Sequence, residues 1–302
     1  MVSHVADSPD HAMTRRDRVL GGLSFTFLLD EMANGLGGLE PLDGLLVLAI
    51  NQANIAPLTR DPEARARYGA LEAPAPDGER RPVSINAIAA SLGLPFETVR
   101  RRIRRLAAER VCTVSSEGVV VPASFLASPS YLQSLMLAHD RLRRFYEDLR
   151  AAGLIEGLPP PAFDTDSVPV RAAARLLADY VLRASEGLMR EAGNVISVLI
   201  LVALLASALA DEGRDSDAPR AMSVRAIALR LRLSPETARR HVAELVEDGL
   251  CVRTAAGLVI MEETLGRPGL RLLLADNAGN VQRLLAGLAE RGVIRAWEAV
   301  KG

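Results

Sequence analysis

Residues 84–106 read SINAIAASLGLPFETVRRRIRRL, and residues 223–245 read SVRAIALRLRLSPETARRHVAEL. Every match falls at an offset of 139, among them Ser84/Ser223, Ile88/Ile227, Leu92/Leu231, Leu94/Leu233, Glu97/Glu236, Thr98/Thr237, Arg100/Arg239 and Arg101/Arg240. Across 82–121 and 221–260, 14 of 40 positions are identical. The register then continues without a gap through Cys112/Cys251, Gly118/Gly257 and Pro129/Pro268 to Ile155/Ile294. The chain therefore carries an internal duplication, and a repeat of this length fixes the fold before any other signal.

Each copy divides in the same way. Ser84 and Ser223 suit the cap of a short helix, 86–92 and 225–231. A tight turn follows at Gly93-Leu94-Pro95 and at Arg232-Leu233-Ser234-Pro235. Pro95 and Pro235 favour a helix start, and the Glu just inside complements the helix dipole. The next helix is expected over about 96–109 and 235–248. A hairpin is expected at 112–122 and 251–261, where two β-prone arms surround a small polar or Gly-bearing tip. Val83–Ile85 and Met222–Val224 read as short single strands. Upstream, 14–37 and 168–192 read as helices, with Val19, Leu23, Phe27 and Met32 at near-helical spacing in the first. A second apolar helix follows each, at 43–56 and 194–210. Each repeat ends in an amphipathic helix, about 129–152 and 268–291. The polar, Pro-rich stretch 59–82 reads as a mobile surface loop, and 211–221 as a shorter linker. The run of three prolines at 159–161, within the linker 156–169, breaks any helix between the halves.

At 100° per residue, Val99, Ile103 and Leu106 share the packing face of helix 96–109. The opposite face carries Glu97, Arg101, Arg104 and Ala108, with Thr98 and Arg105 beside it and Arg100 and Arg102 flanking the core stripe. Between 96 and 110, six arginines stand against two glutamates, a local charge of +4. Arginine on such a helix suits bidentate contact with guanine or phosphate, and Thr98 with the helix amides suits phosphate. The second copy differs. Val242 and Leu245 keep the packing face, and Ala238 replaces Val99. His241 replaces Arg102, and residues 235–249 sum to −2. Phosphate repels such a face, so weaker engagement is expected there, through Thr237, Arg239, Arg240 and His241, with Arg253 on the hairpin. Arg225, Arg230 and Arg232 stand on and after the preceding helix.

The order helix, strand, helix, turn, helix, hairpin, together with ETVRRRIRRLAAERV and ETARRHVAELVEDGL, resembles the winged helix-turn-helix of bacterial transcriptional regulators, above all the GntR and MarR-like groups. The resemblance covers roughly 45–122 and 195–261. It departs at Arg110, where the second copy has Gly249, and no recognisable ligand-sensing domain follows either copy. It implies a mainly α fold with small β-hairpin wings, organised as two tandem modules at 1–158 and 168–302. It also implies double-stranded DNA as partner. Two other readings stay open: a tandem winged-helix replication initiator, and a winged-helix scaffold for protein contacts alone.

Bulk properties fit this picture. The 302 residues suit two ordinary domains, and 49% hydrophobic with 24% charged residues is normal for a globular chain. The net charge of −1 means that any nucleic-acid surface is a local patch. Cys112 and Cys251 occupy equivalent positions and read as buried small residues rather than a disulfide. The four histidines show no metal-ligand spacing, and no phosphate-binding Gly loop or nucleophile elbow is present, so neither an enzyme nor a cofactor is expected. His139-Asp140 reads as surface. Residues 193–210 carry no charge, which is the short edge of a membrane span. The polar residues in the counterpart 43–58 favour a core helix instead, and a cytoplasmic protein is the expectation. The apolar helices 14–37 and 194–210 are the expected surfaces for a homodimer.

Overall fold

Thr14 starts the first helix: its hydroxyl accepts from the Asp17 amide, and the Asp17 carboxylate accepts from the Thr14 amide, satisfying two otherwise orphaned donors. In the computed structural model this helix, α1, runs Arg15–Asn34. The structure describes residues 13–36, 38–71, 74–162, 168–210 and 220–299. Most of the stretch 211–221 and the centre of 156–169 fall outside them.

The same order of elements occurs twice. First come α1, α2 (Pro41–Arg60), α4 (Ile85–Ser91), α5 (Phe96–Ala108), the hairpin β1 (Thr113–Val114) and β2 (Val119–Val120), a single turn α6 (Ala123–Leu126), and α7 (Pro129–Ala151). A short α3 (Pro62–Arg67) lies between α2 and α4. Then come α8 (Val170–Ala192), α9 (Val195–Leu209), α10 (Val224–Leu231), α11 (Pro235–Glu247), β3 (Val252–Thr254), β4 (Gly257–Val259), α12 (Glu262–Leu265) and α13 (Pro268–Glu290). A last helix, α14 (Val293–Ala299), has no counterpart among the described residues of the first copy. The described chain is mainly helical, with two small antiparallel hairpins.

Local chemistry accounts for most boundaries. Ser84 and Ser223 accept from the amides of Ala87 and Ala226, and Asn194 and Ser234 do the same for Ser197 and Thr237. The strands expected at 83–85 and 222–224 shrink to single bridges, Val83 to Val119 and Met222 to Leu258. Gly118 (φ 138°) and Gly257 (φ 136°) permit those bridges. A Cβ on either would stand 2.7–2.8 Å from the Val83 or Met222 carbonyl oxygen.

The halves drawn at 1–158 and 168–302 do not keep separate cores. One cluster of buried side chains joins Phe25, Leu28 and Phe145 from the first half to Tyr180, Val198 and Leu284 from the second. Its axis is α9, which packs on α1, α8, α10, α11 and β4. Leu199, Ile200, Leu201, Val202, Ala203, Leu204 and Leu205 are all buried, which explains a helix without charge. The broadest helix contact in the described molecule is α1 on α9, across the duplication. Gly22 makes it close, because a Cβ there would meet the Leu209 carbonyl oxygen at 2.6 Å. Phe27 stacks on Phe145 with ring centroids 4.3 Å apart. A buried network closes the same interface: Asn277 Nδ2 donates to Ser24 Oγ (2.6 Å), and the Tyr180 hydroxyl donates to Asn277 Oδ1 (3.1 Å). A smaller core holds Val99, Ile103 and Leu106 of α5 against Leu46, Val47 and Ile50 of α2.

The apolar surfaces of 14–37 and 194–210 pack on each other inside one chain, and α9 is buried along most of its length. No single described helix is long and apolar enough to cross a membrane, and α8 and α9 meet at a bend of 100°. Two other expectations change. The segment 59–82 is not a free loop: it holds α3, and Tyr68, Ala75 and Arg80 are buried. His139 is half-buried and accepts from Trp297 Nε1 at 3.0 Å, which places its own proton on Nδ1.

Candidate nucleic-acid interface

Helix α5 is positioned from beneath. Val99, Ile103 and Leu106 are 0% exposed and lock it on α2 and α4. Arg101 and Arg104 stand exposed on the outer face, with no carboxylate partner among the described residues. Arg100 beside them is half-buried and bonded to Glu97, Nη2 to Oε2 at 2.6 Å. Thr98 is half-buried at the helix start, its amide donating to Pro95 O.

Arg102 and Arg105 do something else. Arg102 Nη1 donates to Glu40 Oε2 (2.8 Å) and Asp43 Oδ1 (2.9 Å), and Arg105 Nη2 reaches the same two carboxylates. Glu40 immediately precedes α2 and Asp43 lies in its first turn, buried at 2% exposure. The hydrogen bonds from Arg102 and Arg105 hold the Glu40 carboxyl below its ordinary range. These two arginines pin α5 to the start of α2, Arg102 partly buried and Arg105 still exposed.

The second copy keeps the joint and changes its chemistry. His241, at the position of Arg102, is buried at 6% exposure. Its Nδ1 lies 3.0 Å from Ser197 Oγ in the first turn of α9 and 2.9 Å from Glu244 Oε2. Ser197 stands where Asp43 stands, third in its helix, so a hydroxyl beside an imidazole replaces the carboxylate–guanidinium contact at this joint. His241 is therefore a packing residue, not an exposed one. Arg240 Nη2 turns 3.2 Å toward His241 Nε2. Arg239 and Arg253 are exposed, and no carboxylate partner is found for either among the described residues. Thr237 is half-buried and its hydroxyl lies 2.8 Å from Ser234 Oγ. Glu236, Glu244 and Glu247 are exposed on the same helix.

The structure thus leaves Arg101 and Arg104 exposed without a carboxylate partner, pairs Arg100 with Glu97 and the still exposed Arg105 with Glu40 and Asp43, and buries His241 and much of Arg102. Sequence reasoning did not find Glu40, Asp43 or Ser197 as anchors. Their only signal is a polar residue in the first turn of an otherwise apolar helix. Both cysteines are buried and free, their thiols pushed up to about 11 by burial, so neither is a nucleophile at neutral pH. Among the described residues no group of His, Cys, Asp and Glu is arranged to hold a metal ion. Comparison of the chain with protein-family models, curated proteins and solved structures finds no match.

Proposed function

We propose that this chain is a DNA-binding transcriptional regulator built of two tandem winged helix-turn-helix units, with the first unit dominant. The observation that carries this reading is the pair Arg101 and Arg104. They are exposed, lie opposite the buried stripe of α5, and have no carboxylate partner among the described residues. Guanidinium groups held on a rigid helix suit guanine edges and phosphates. On α11 the corresponding charge is weaker, because Arg240 turns to His241 and three glutamates share the helix.

The test begins with pull-down and sequencing of genomic fragments on the purified chain at two salt concentrations. Discrete sites with steep salt dependence are expected. Arg101→Ala with Arg104→Ala should then lower affinity by about 1–3 kcal/mol for each base that the pair reads. For each phosphate that the pair holds, the salt slope should flatten by about one. Arg239→Ala with Arg240→Ala should cost less. Equal losses from both pairs would overturn the asymmetry. No enrichment even at low salt would overturn DNA binding in favour of a protein-contact scaffold.

A further inference from the structure

The exposed side of α10 differs between the two copies. Residues 224–232 read VRAIALRLR and hold three arginines with no acidic residue, whereas the counterpart 85–93 reads INAIAASLG and holds no charge. Asn86, Ala90, Ser91 and Gly93 of the first copy correspond to Arg225, Leu229, Arg230 and Arg232 of the second, and all eight positions are exposed. The packing side is the same in both, with Ile227 and Ala228 buried as Ile88 and Ala89 are. The fold therefore does not account for the change.

Leu229 is 71% exposed, the most of any large apolar side chain among the described residues. Arg225 lies one turn before it on the same face, Arg232 three residues after it, and Arg230 alongside. None of these arginines has a carboxylate partner among the described residues. Arg232 also holds a left-handed backbone (φ 53°, ψ 36°) at the cap of α10, where its counterpart is Gly93. An arginine at a turn that suits glycine, with no ion pair in the described chain, marks a surface used from outside. Beneath it the helix is firmly seated, because α10 packs on α11 and on the buried α9.

The charge calls for an acidic partner, and the leucine says which kind. A DNA backbone presents phosphate along its whole length. On this copy it also meets Glu236, Glu244 and Glu247, exposed on α11, and phosphate offers nothing to an isobutyl group. A protein segment can confine its carboxylates to α10 and seat an apolar side chain on Leu229. Guanidinium and carboxylate pair bidentately, and an apolar centre within a polar rim is the usual anatomy of a protein interface. We propose that the exposed face of α10, formed by Arg225, Leu229, Arg230 and Arg232, docks an acidic segment of another protein that also presents an apolar side chain. The two copies then divide their tasks, α5 of the first facing nucleic acid and α10 of the second facing protein. That division rests on the DNA-binding reading, whereas the docking itself does not.

The experiment is selection of a random peptide library on the immobilised full chain, followed by fluorescence anisotropy titration of the enriched peptides. Enriched sequences should combine Asp or Glu with Leu, Ile or Phe. Leu229→Ser should weaken their binding by about tenfold, as for a contact at the centre of an interface. Arg232→Gly should weaken it too while the melting temperature does not fall, which separates a lost contact from a lost fold. Arg101→Ala with Arg104→Ala should leave it unchanged. No enrichment, enriched sequences without acidic residues, undiminished binding by the Leu229→Ser chain, or loss of binding with Arg101 and Arg104 would each overturn the proposal. If Leu229→Ser and Arg232→Gly instead weaken duplex DNA and spare the peptides, the face belongs to DNA and the proposal falls. DNA is absent from the selection and from the peptide titration, so a failure of the DNA reading leaves their outcome unchanged.

Discussion

Asn54 shows what one side chain does here. It is 0% exposed inside α2 and bonds three backbone groups. Its Nδ2 donates to Arg81 O (2.8 Å) and Val119 O (3.0 Å), and its Oδ1 accepts from Val121 N (2.9 Å). One amide thereby ties the helix to the hairpin and to the chain entering α4. Asn54→Leu keeps the volume close and strands the Arg81 carbonyl and the Val121 amide, while Val119 O keeps its bond from Val83 N. The cost of an unsatisfied buried group is about 1–3 kcal/mol, so a loss of about 2 kcal/mol or more is expected, read as a lower urea midpoint. An unchanged midpoint would mean that water replaces the amide. The polarity of Asn54 was legible in the sequence as a mark against a membrane span, but its partners, 27 to 67 positions away, were not. The same limit hid the pairing of Arg102 and Arg105. Helical periodicity says which way a side chain points, and Glu40 and Asp43 lie 59 to 65 positions earlier. By contrast Arg101 and Arg104 were legible because their exposure depends only on the stripe Val99, Ile103 and Leu106 of their own helix.

At the scale of elements, each copy places two residues in the left-handed region at the ends of its paired helices. The first copy has Gly93 (φ 62°) after α4 and Arg110 (φ 60°) after α5. The second has Arg232 (φ 53°) after α10 and Gly249 (φ 68°) after α11. Equivalent turns thus demand the same backbone while each copy supplies glycine at only one of them. A non-glycine residue in this conformation costs about 1–2 kcal/mol, partly offset by the greater freedom of glycine in the unfolded chain. Arg110→Gly and Arg232→Gly should therefore each raise stability by about 1 kcal/mol, visible as a higher melting temperature. A fall at either position would show that the arginine side chain contributes more than its backbone strain costs. Most of these elements were legible because caps and apolar spacing are local signals. The single turns α6 and α12 and the short α14 were not, since pieces of 4 to 7 residues are held by packing rather than by pattern. Trp297 of α14 is an example, buried at 3% and bonded to His139 of α7.

For the whole molecule, the duplication was plain in the sequence and the sharing of one core was not. A repeat predicts similar units and says nothing of which unit fills the other. With α1 seated on α9 and α14 on α7, the halves should unfold together. Calorimetry on the full chain should give one transition whose van't Hoff enthalpy equals the calorimetric one. Two separable transitions would contradict the shared core. Gly22→Leu should lower that single transition, because its side chain must displace the backbone at Leu209.

The contact between α1 and α9 also sets an order in time. Leu209 is translated roughly 175 residues after Asn34, the end of α1. At about 5–20 residues per second, α1 therefore leaves the ribosome on the order of 10–35 s before its partner exists. Through that interval Phe25, Leu28 and Leu29 have no α9 to cover them. The first half of this protein thus waits for the second, and a nascent chain arrested before residue 209 should be the form that chaperones hold.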